Sequence, residues 1–481
     1  MSDSASSSQV PSLAPSPSLP IVMRLGLAIA AGLLLTAGYD LHPLWWAPWL
    51  APVLLIPAGR GSALHATWTG AVAGALAMAS VVTYYAGLMP WPVVVMFFAL
   101  RIVAWLGMAR AVYSMGARLP LPLAALTLPA MAAGLEWLTL TLSPHGAAGS
   151  LAYSQMDVPG VVQVAALGGV PAVIFVMLLP GSLAGLLLSR ARPLRETAVA
   201  IGMVAAVATG VTVYSAARLI TLAPRPTVPA VMVASNRFPG IPEDWAAVWT
   251  LYKPIVAARA PTGGILVLPE KIALLDSATA DLAAQDLSTV AVARQSTIVA
   301  GLEVKGKVFR NRAVIAHPDG SLTWYDKQRL VPGLEARDMP GTTPVFFKTG
   351  GVPQGVAICK DMHIPSIGRE YAGRVAIMAV PAWDFGEDGW MGARMTALRA
   401  VEGGYAIARS SRNGLVGAYD SRGRVIAEQV AGDGVTTVTA KVPVIMGSTV
   451  YSRIGDVFGM ICAALSVGLI VLGRIRPYKS S

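Results

Sequence analysis

Gly355-Val356-Ala357-Ile358-Cys359-Lys360-Asp361 runs from an apolar segment straight into a thiol, a cation and a carboxylate. Val356 to Ile358 read as a buried strand, and the polar residues after them as the strand leaving its sheet. A thiol at a strand end with charges beside it is where a nucleophile would stand. Taken alone, Cys359 reads better as a small buried residue closing a strand. The rest of the chain has to decide.

Outward from that stretch, composition sets the environment. Of 481 residues 54% are hydrophobic and only 13% charged, against roughly a quarter charged in a soluble protein. Much of the chain is therefore expected in lipid. The formal net charge of +11 could suggest nucleic acid, but Arg and Lys are scattered or lie at the ends of apolar runs, so no nucleic-acid partner is expected. The two cysteines, Cys359 and Cys462, offer no disulfide framework, and the five histidines have no ligand spacing. Neither a metal nor a cofactor is expected.

Residues 1–20 are Ser/Pro-rich and read as a disordered tail. Apolar runs of helical length follow at about 22–39, 44–59, 66–88, 91–113, 120–142, 161–189 and 196–218. With ~20 residues needed to cross the hydrocarbon layer, these read as seven transmembrane helices filling 21–218. The second, with Pro48 and Pro52, is the shortest. An eighth run at 454–473 precedes a cytoplasmic tail, 474–481. Arg60, then Arg110 and Arg118, then Arg190, Arg192 and Arg195 lie in or beside alternate connections, which the positive-inside rule makes cytoplasmic. The stretch 219–453 then falls on the outer side. Arg101 and Glu136 lie within spans, either as a structural pair or as groups handling lipid headgroups. The loop from Ser143 to Gln155 reads as an ordinary connection or as part of a substrate entrance.

The stretch 219–453 holds most of the Asp and Glu and alternates β-rich and helical runs. Strands are expected at 228–234, 265–268, 297–302, 313–317, 322–325, 355–358 and 375–380, and helices at 244–260, 277–294 and 391–406. Two further polar residues follow apolar strands. Glu270 stands after Ile265-Leu266-Val267-Leu268-Pro269, and Lys327 after Trp324-Tyr325-Asp326. With Cys359 they make a set suited to acyl transfer through a thioester. The thiol attacks, Glu270 takes its proton as general base, and Lys327 meets the oxyanion.

A Glu, a Lys and a Cys in this order at strand ends resemble the triad of the nitrilase, or carbon–nitrogen hydrolase, superfamily. Seven spans, an outer domain and one closing span resemble the bacterial apolipoprotein N-acyltransferase family in particular. Tyr325-Asp326-Lys327-Gln328-Arg329-Leu330-Val331-Pro332 is similar to that family's lysine stretch, and Leu398-Arg399-Ala400-Val401-Glu402 to its Arg-Ala-hydrophobic-Glu helix. Thr449 to Asp456 resembles its approach to the last span, and Glu136-Trp137 also fits. The resemblance implies a polytopic α-helical bundle of about eight spans plus an α/β domain with an α-β-β-α sandwich. It implies a bacterial inner (cytoplasmic) membrane location with the catalytic domain periplasmic. The expected reaction moves a phospholipid acyl chain through a Cys359 thioester to the N-terminal amine of a diacylglyceryl-cysteine lipoprotein. Glu335 would be a supporting loop carboxylate, and Leu334, Lys360, Asp361 and Trp383 would meet substrate in a monomer. Where the family usually has Tyr-Glu after its nucleophile, this chain has Lys360-Asp361. That difference keeps open a membrane-anchored amidase, or an acyltransferase with a non-lipoprotein acceptor.

Overall fold

The computed structural model describes residues 19–220 and 225–476. The expected tail up to residue 18, and residues 477–481 at the other end, lie outside the described residues. The first ten helices are α1 (Ile21–Tyr39), α2 (Ala47–Ala58), α3 (Ala63–Leu76), α4 (Val82–Leu88), α5 (Trp91–Arg118), α6 (Leu121–Ala125), α7 (Thr127–Leu142), α8 (Pro159–Val162), α9 (Ala165–Ser189) and α10 (Leu194–Leu219). Prolines set several boundaries: Pro90, Pro120 and Pro193 immediately precede α5, α6 and α10. Proline has no N–H to leave unpaired there, and its fixed φ suits a helix start.

Seven helical stretches among the described residues are long and apolar enough to cross a membrane, the last being Val457–Ile475. The second expected span is different. It forms α2 alone, 12 residues containing Pro52 and Pro57, about 18 Å long. It is nonetheless tied to α1 at both ends. Leu44 N–H donates to Ala37 O at 2.8 Å, and buried Arg24 donates to Ala58 O at 3.0 Å and also to Arg60 O. The third run, expected as one helix, is split into α3 and α4 by a 3₁₀ turn at Ala79–Val81. Apolar side chains such as Leu33 on α1, Val199 and Val213 on α10, and Val467 near the C-terminus stay exposed, as lipid-facing residues would. Arg101 donates to Tyr39 Oη at 2.8 Å, with its guanidinium 4.3 Å from that ring's centre. Among the described residues no ion pair joins it to Glu136.

The α/β part is built from β1 (Thr227–Ala234), α11 (Trp245–Arg259), β2 (Ile265–Val267), β3 (Leu274–Asp276), α12 (Ser277–Arg294), β4 (Thr297–Lys305), β5 (Arg310–Ala316) and β6 (Leu322–Asp326). After these come β7 (Val345–Thr349), β8 (Val352–Val356), α13 (Pro365–Tyr371), β9 (Ile377–Trp383), α14 (Gly389–Gly403), β10 (Ala406–Arg412), β11 (Leu415–Tyr419), β12 (Val425–Val430) and β13 (Thr436–Pro443). The first sheet has the order β13-β1-β2-β4-β5-β6, with β3 on β4, and the second β12-β11-β10-β9-β8-β7. Strand side chains alternate between faces. In β1, Ala230 and Met232 pack between the sheets while Val231 and Val233 pack under α11 and α12. Because both faces are buried, the inner strands read as continuous apolar runs. The outer face of the second sheet carries α13 and α14, giving α-β-β-α layers, and this last core continues into the bundle.

The join to the bundle is extensive. Every residue of α14 except Trp390 is buried, and Ala147 N–H donates to His363 O at 2.9 Å. Helix α9 breaks at Gly168 and Gly169. Gly169 has φ +66°, and a Cβ there would come within 2.6 Å of the Tyr451 ring. Only glycine permits both the left-handed turn and that approach. Tyr451 lies in α15 (Val450–Ile454), which leads into α16 (Val457–Ile475). At the far end of the bundle, Arg118 donates to Gly473 O at 3.1 Å and Leu121 N–H to Glu196 Oε2 at 3.0 Å. The arginine-bearing connections thus gather at the end away from the α/β layers.

Candidate active site

Strand β2 ends at Val267, and Leu268-Pro269 carries the chain to Glu270. Glu270 N–H donates to Ala382 O at 3.2 Å, so this corner of the first sheet is fastened to the second. Gly301 on β4 makes room, since a Cβ there would lie 2.5 Å from Glu270 Cα. Lys327 follows β6, with its N–H on Asn311 O at 2.9 Å. Buried Lys327 Nζ lies 2.7 Å from Glu270 Oε1 and 2.9 Å from Glu335 Oε2. Asn311 Nδ2 donates to both carboxylates, at 2.6 Å each.

The third expected residue opens a turn just past its strand. Strand β8 stops at Val356, earlier than the expected 355–358 segment, and Cys359 opens a 3₁₀ turn to His363. Cys359 has φ +43°, a left-handed backbone that costs a non-glycine residue about 1–2 kcal/mol. Asp361 holds that turn. Its carboxylate accepts from Ile358 N–H at 2.9 Å, Tyr325 Oη at 2.7 Å, Gln328 N–H at 3.1 Å and Arg329 N–H at 2.7 Å. The clamp therefore joins the cysteine turn to the lysine turn. Expected to meet substrate, Asp361 is instead fully buried, with its oxygens spent on this scaffold. Burial pushes its carboxyl up to about 6, against the pull of those donors.

Glu270, Lys327, Glu335 and Cys359 open onto one cavity of about 500 Å³. Leu334, Lys360 and Trp383, which were expected to meet substrate, line it too, and Trp383 O lies 3.7 Å from the Cys359 sulfur. The opposite wall comes from the bundle: Tyr84, Tyr85, Leu88 and Met89 of α4 and its C-cap, with His145 of the Ser143–Gln155 loop.

The electrostatics follow from this enclosure. Burial pushes the Cys359 thiol well above its ordinary value, the Glu270 charge adds to that, and Lys327 opposes it. The resting sulfur is therefore a neutral thiol beside a carboxylate. Burial works against the Lys327 ammonium, but Glu270 and Glu335 outweigh it and hold the lysine above its usual range. Burial would raise Glu335, yet Lys327 and Lys271 hold it below the usual carboxylate range. Lys360 donates to Leu330 O at 2.8 Å, and burial together with nearby Lys327 brings it down to about 8. Burial holds His145 at about 4 and His363 at about 3, so both are neutral near pH 7.

Two members of this network were not singled out in the sequence. Lys271 Nζ reaches Glu335 at 3.0 Å, Asp338 at 3.2 Å and Glu303 at 3.6 Å, from a backbone with φ +50°. Asn311 bridges the two carboxylates from inside β5. A charge directly after Glu270 and an amide inside a strand were the available signals. Neither names its partner, because the partners come from a loop some sixty residues later in one case and from two separate elements in the other.

Residues 31–183 match the apolipoprotein N-acyltransferase N-terminal domain, and residues 241–445 match the carbon–nitrogen hydrolase family. An apolipoprotein N-acyltransferase of Bradyrhizobium diazoefficiens is 28% identical over 201 residues, which cover 35% of this chain and 36% of the relative. One of Rhodopseudomonas palustris is 26% identical over 206 residues, 36% of each protein. The matched segment thus spans little more than a third of these curated relatives. Among solved structures, an amidase from Nesterenkonia sp. has a TM-score of 0.40 at 21% identity, over 46% of this chain and 93% of its own. A CN-hydrolase superfamily protein of Xanthomonas campestris has a TM-score of 0.39 at 18% identity, over 45% and 91%. The two matched domains stand in the order in which the bundle and the α/β layers occur, so the chain is similar to the apolipoprotein N-acyltransferases over its bundle and to the carbon–nitrogen hydrolases over its α/β layers.

Proposed function

We propose that this protein transfers an acyl chain from a membrane phospholipid, through a thioester on Cys359, to the N-terminal amine of a diacylglyceryl-cysteine lipoprotein. The observation that carries the reading is the shared cavity. A thiol, a carboxylate and an ammonium on the α/β side face an apolar wall supplied by bundle helices, so a lipid ester can meet the thiol without leaving an apolar environment.

In the first half-reaction Cys359 Sγ attacks the ester carbonyl carbon as Glu270 takes the thiol proton. A concerted transfer suits a thiol that is neutral at rest. The negative charge that develops on the carbonyl oxygen faces the Lys327 ammonium. Collapse breaks the C–O bond, and Glu270 returns the proton to the leaving glycerol oxygen, releasing lysophospholipid. In the second half the lipoprotein amine attacks the thioester and gives a proton to Glu270. The amide forms, the C–S bond breaks, and the proton returns to sulfur. Glu335 supports Lys327, while Leu334 and Trp383 line the acyl path. The enzyme would sit in the bacterial inner membrane with its α/β layers on the periplasmic side.

The test supplies purified protein with labelled phospholipid and a diacylglyceryl peptide. N-acyl peptide and lysophospholipid should appear together and vanish in Cys359→Ala. Lys327→Met should lower the rate about 10²–10³-fold, the usual effect of losing an oxyanion donor. A second reading, acyl transfer to another amine, draws on Lys360, which lines the cavity where the family usually has tyrosine. Formation of the thioester without transfer to the lipopeptide would favour it.

A further inference from the structure

A second polar pocket, of about 240 Å³, is lined by none of the residues that line the reactive cavity. Thr141 and Ser143 at the end of α7, Arg329 after the lysine turn, Ser366 at the start of α13 and Asp456 before α16 line it. Both α7 and α16 belong to candidate membrane spans, so the pocket lies where two spans end. That is the level of lipid headgroups. Leu142 beside it is 75% exposed, as a side chain facing acyl chains would be. The volume is below the ~300 Å³ lower end for drug-sized ligands and suits a headgroup, not a whole lipid.

The charge in this pocket is unevenly spent. Asp456 accepts from Tyr451 Oη at 2.8 Å and lies 3.2 Å from Arg369, so its charge is met within the protein. Arg329 is fixed at its backbone by Asp361 at 2.7 Å. Among the described residues its guanidinium has neither a hydrogen bond nor an ion pair, and it is exposed to the pocket. An anchored backbone with an unspent planar cation is a suitable receiver for phosphate oxygens.

The pocket also shares a wall with a slot that borders the reactive cavity. Ser143 lines a narrow slot of about 80 Å³ as well, whose walls include Val82, Val94, Phe97 and Phe98. Tyr85, Met89 and His145 are shared between that slot and the reactive cavity. The polar pocket thus adjoins the slot at Ser143, and the slot adjoins the cavity holding Cys359 at Tyr85, Met89 and His145.

We propose that Arg329 and its polar pocket hold the phosphodiester of a bilayer glycerophospholipid, with its apolar part directed along the slot. This rests on the thioester reading above and adds a headgroup site to it. Full-length protein and Arg329→Gln are compared in acyl-enzyme formation from phosphatidylglycerol and from a diacylglycerol of the same chains. The variant should show about a tenfold higher KM for phosphatidylglycerol, a kcat within twofold, and no change in KM with diacylglycerol. Arg329→Lys should recover part of the loss. Equal losses with both donors would overturn the proposal, since Arg329 would then act through the lysine turn. No loss with either would do the same. Competition by millimolar inorganic phosphate as strong as that by phospholipid would make the site one for free phosphate. Native mass spectrometry of retained phosphatidylglycerol, in Cys359→Ala with and without Arg329→Gln, reads the site independently of the thioester. If Cys359 carries no acyl group at all, lipid retention must still fall with Arg329→Gln for the headgroup site to stand.

Discussion

Cys359 is held as a neutral thiol between two opposing charges, and each should move its titration in its own direction. Glu270 pushes the thiol up and Lys327 draws it down. Thiolate absorbance should therefore titrate at lower pH in Glu270→Gln than in the wild type, and at higher pH in Lys327→Met. Both variants should lose acyl transfer. Shifts in the same direction would mean that the two side chains do not bracket the sulfur. These three residues were legible in the sequence because each is a polar group that abruptly ends an apolar run. Asp361 was legible as a polar residue but not in its role. Nothing in Cys359-Lys360-Asp361 tells which side chain turns to the cavity, and the left-handed turn at Cys359 sends Asp361 into the interior. Asp361→Asn keeps the volume but replaces an accepting oxygen by a donor facing N–H groups. It should cost about 2 kcal/mol, measured by denaturant unfolding; an unchanged midpoint would contradict the clamp.

At the scale of elements, the loop between Val331 and Asp338 is fastened from outside itself. Lys271 binds Glu335 and Asp338, and Arg337 reaches Glu303 at 2.9 Å. Lys271→Met removes the ion-pair partner of buried Asp338 and one of the two cations on Glu335, and should cost about 3 kcal/mol, with faster amide hydrogen exchange in this loop. Unaltered exchange there would show that other contacts hold it. The sign of the pH effect follows from Glu335. Its folded pKa lies below the ordinary carboxylate value, so its stabilising contribution is complete above about 4.3 and lost as pH falls toward about 2. Lys271→Met weakens that depression, so acid unfolding should begin at higher pH. Long periodic elements such as α12 and β4 could be read from the sequence. Strands β3, β7 and β10–β13 were not. Leu274–Asp276 is three residues long, and Val425–Val430 carries a charged, half-exposed pattern on an edge strand. Such strands owe their conformation to their neighbours more than to their own residues.

For the whole molecule, the apolar runs made the bundle legible, and the spacing of arginines carries the proposed direction, because lipid imposes length and charge rules on sequence. The exception is α2, whose 12 residues are short but are fixed beside α1 by Arg24, a contact that no hydropathy pattern contains. The proposed orientation has a direct test. In a background lacking Cys359 and Cys462, Asp433→Cys should react with an impermeant maleimide in intact spheroplasts, and Ala191→Cys only after permeabilisation. The reverse pattern would invert the topology. What no sequence pattern could supply is that one cavity joins the α/β triad to the α4 wall, because it forms only where two separately built cores meet. The most direct measurement of the central claim is mass spectrometry of the Cys359 peptide from purified protein incubated with phospholipid and no acceptor. A hydroxylamine-sensitive mass increase equal to one acyl chain, on Cys359 and absent from Cys359→Ala, is the predicted result. An unmodified Cys359 in protein that still transfers acyl chains, or an acyl-enzyme that persists in Cys359→Ala, would contradict it.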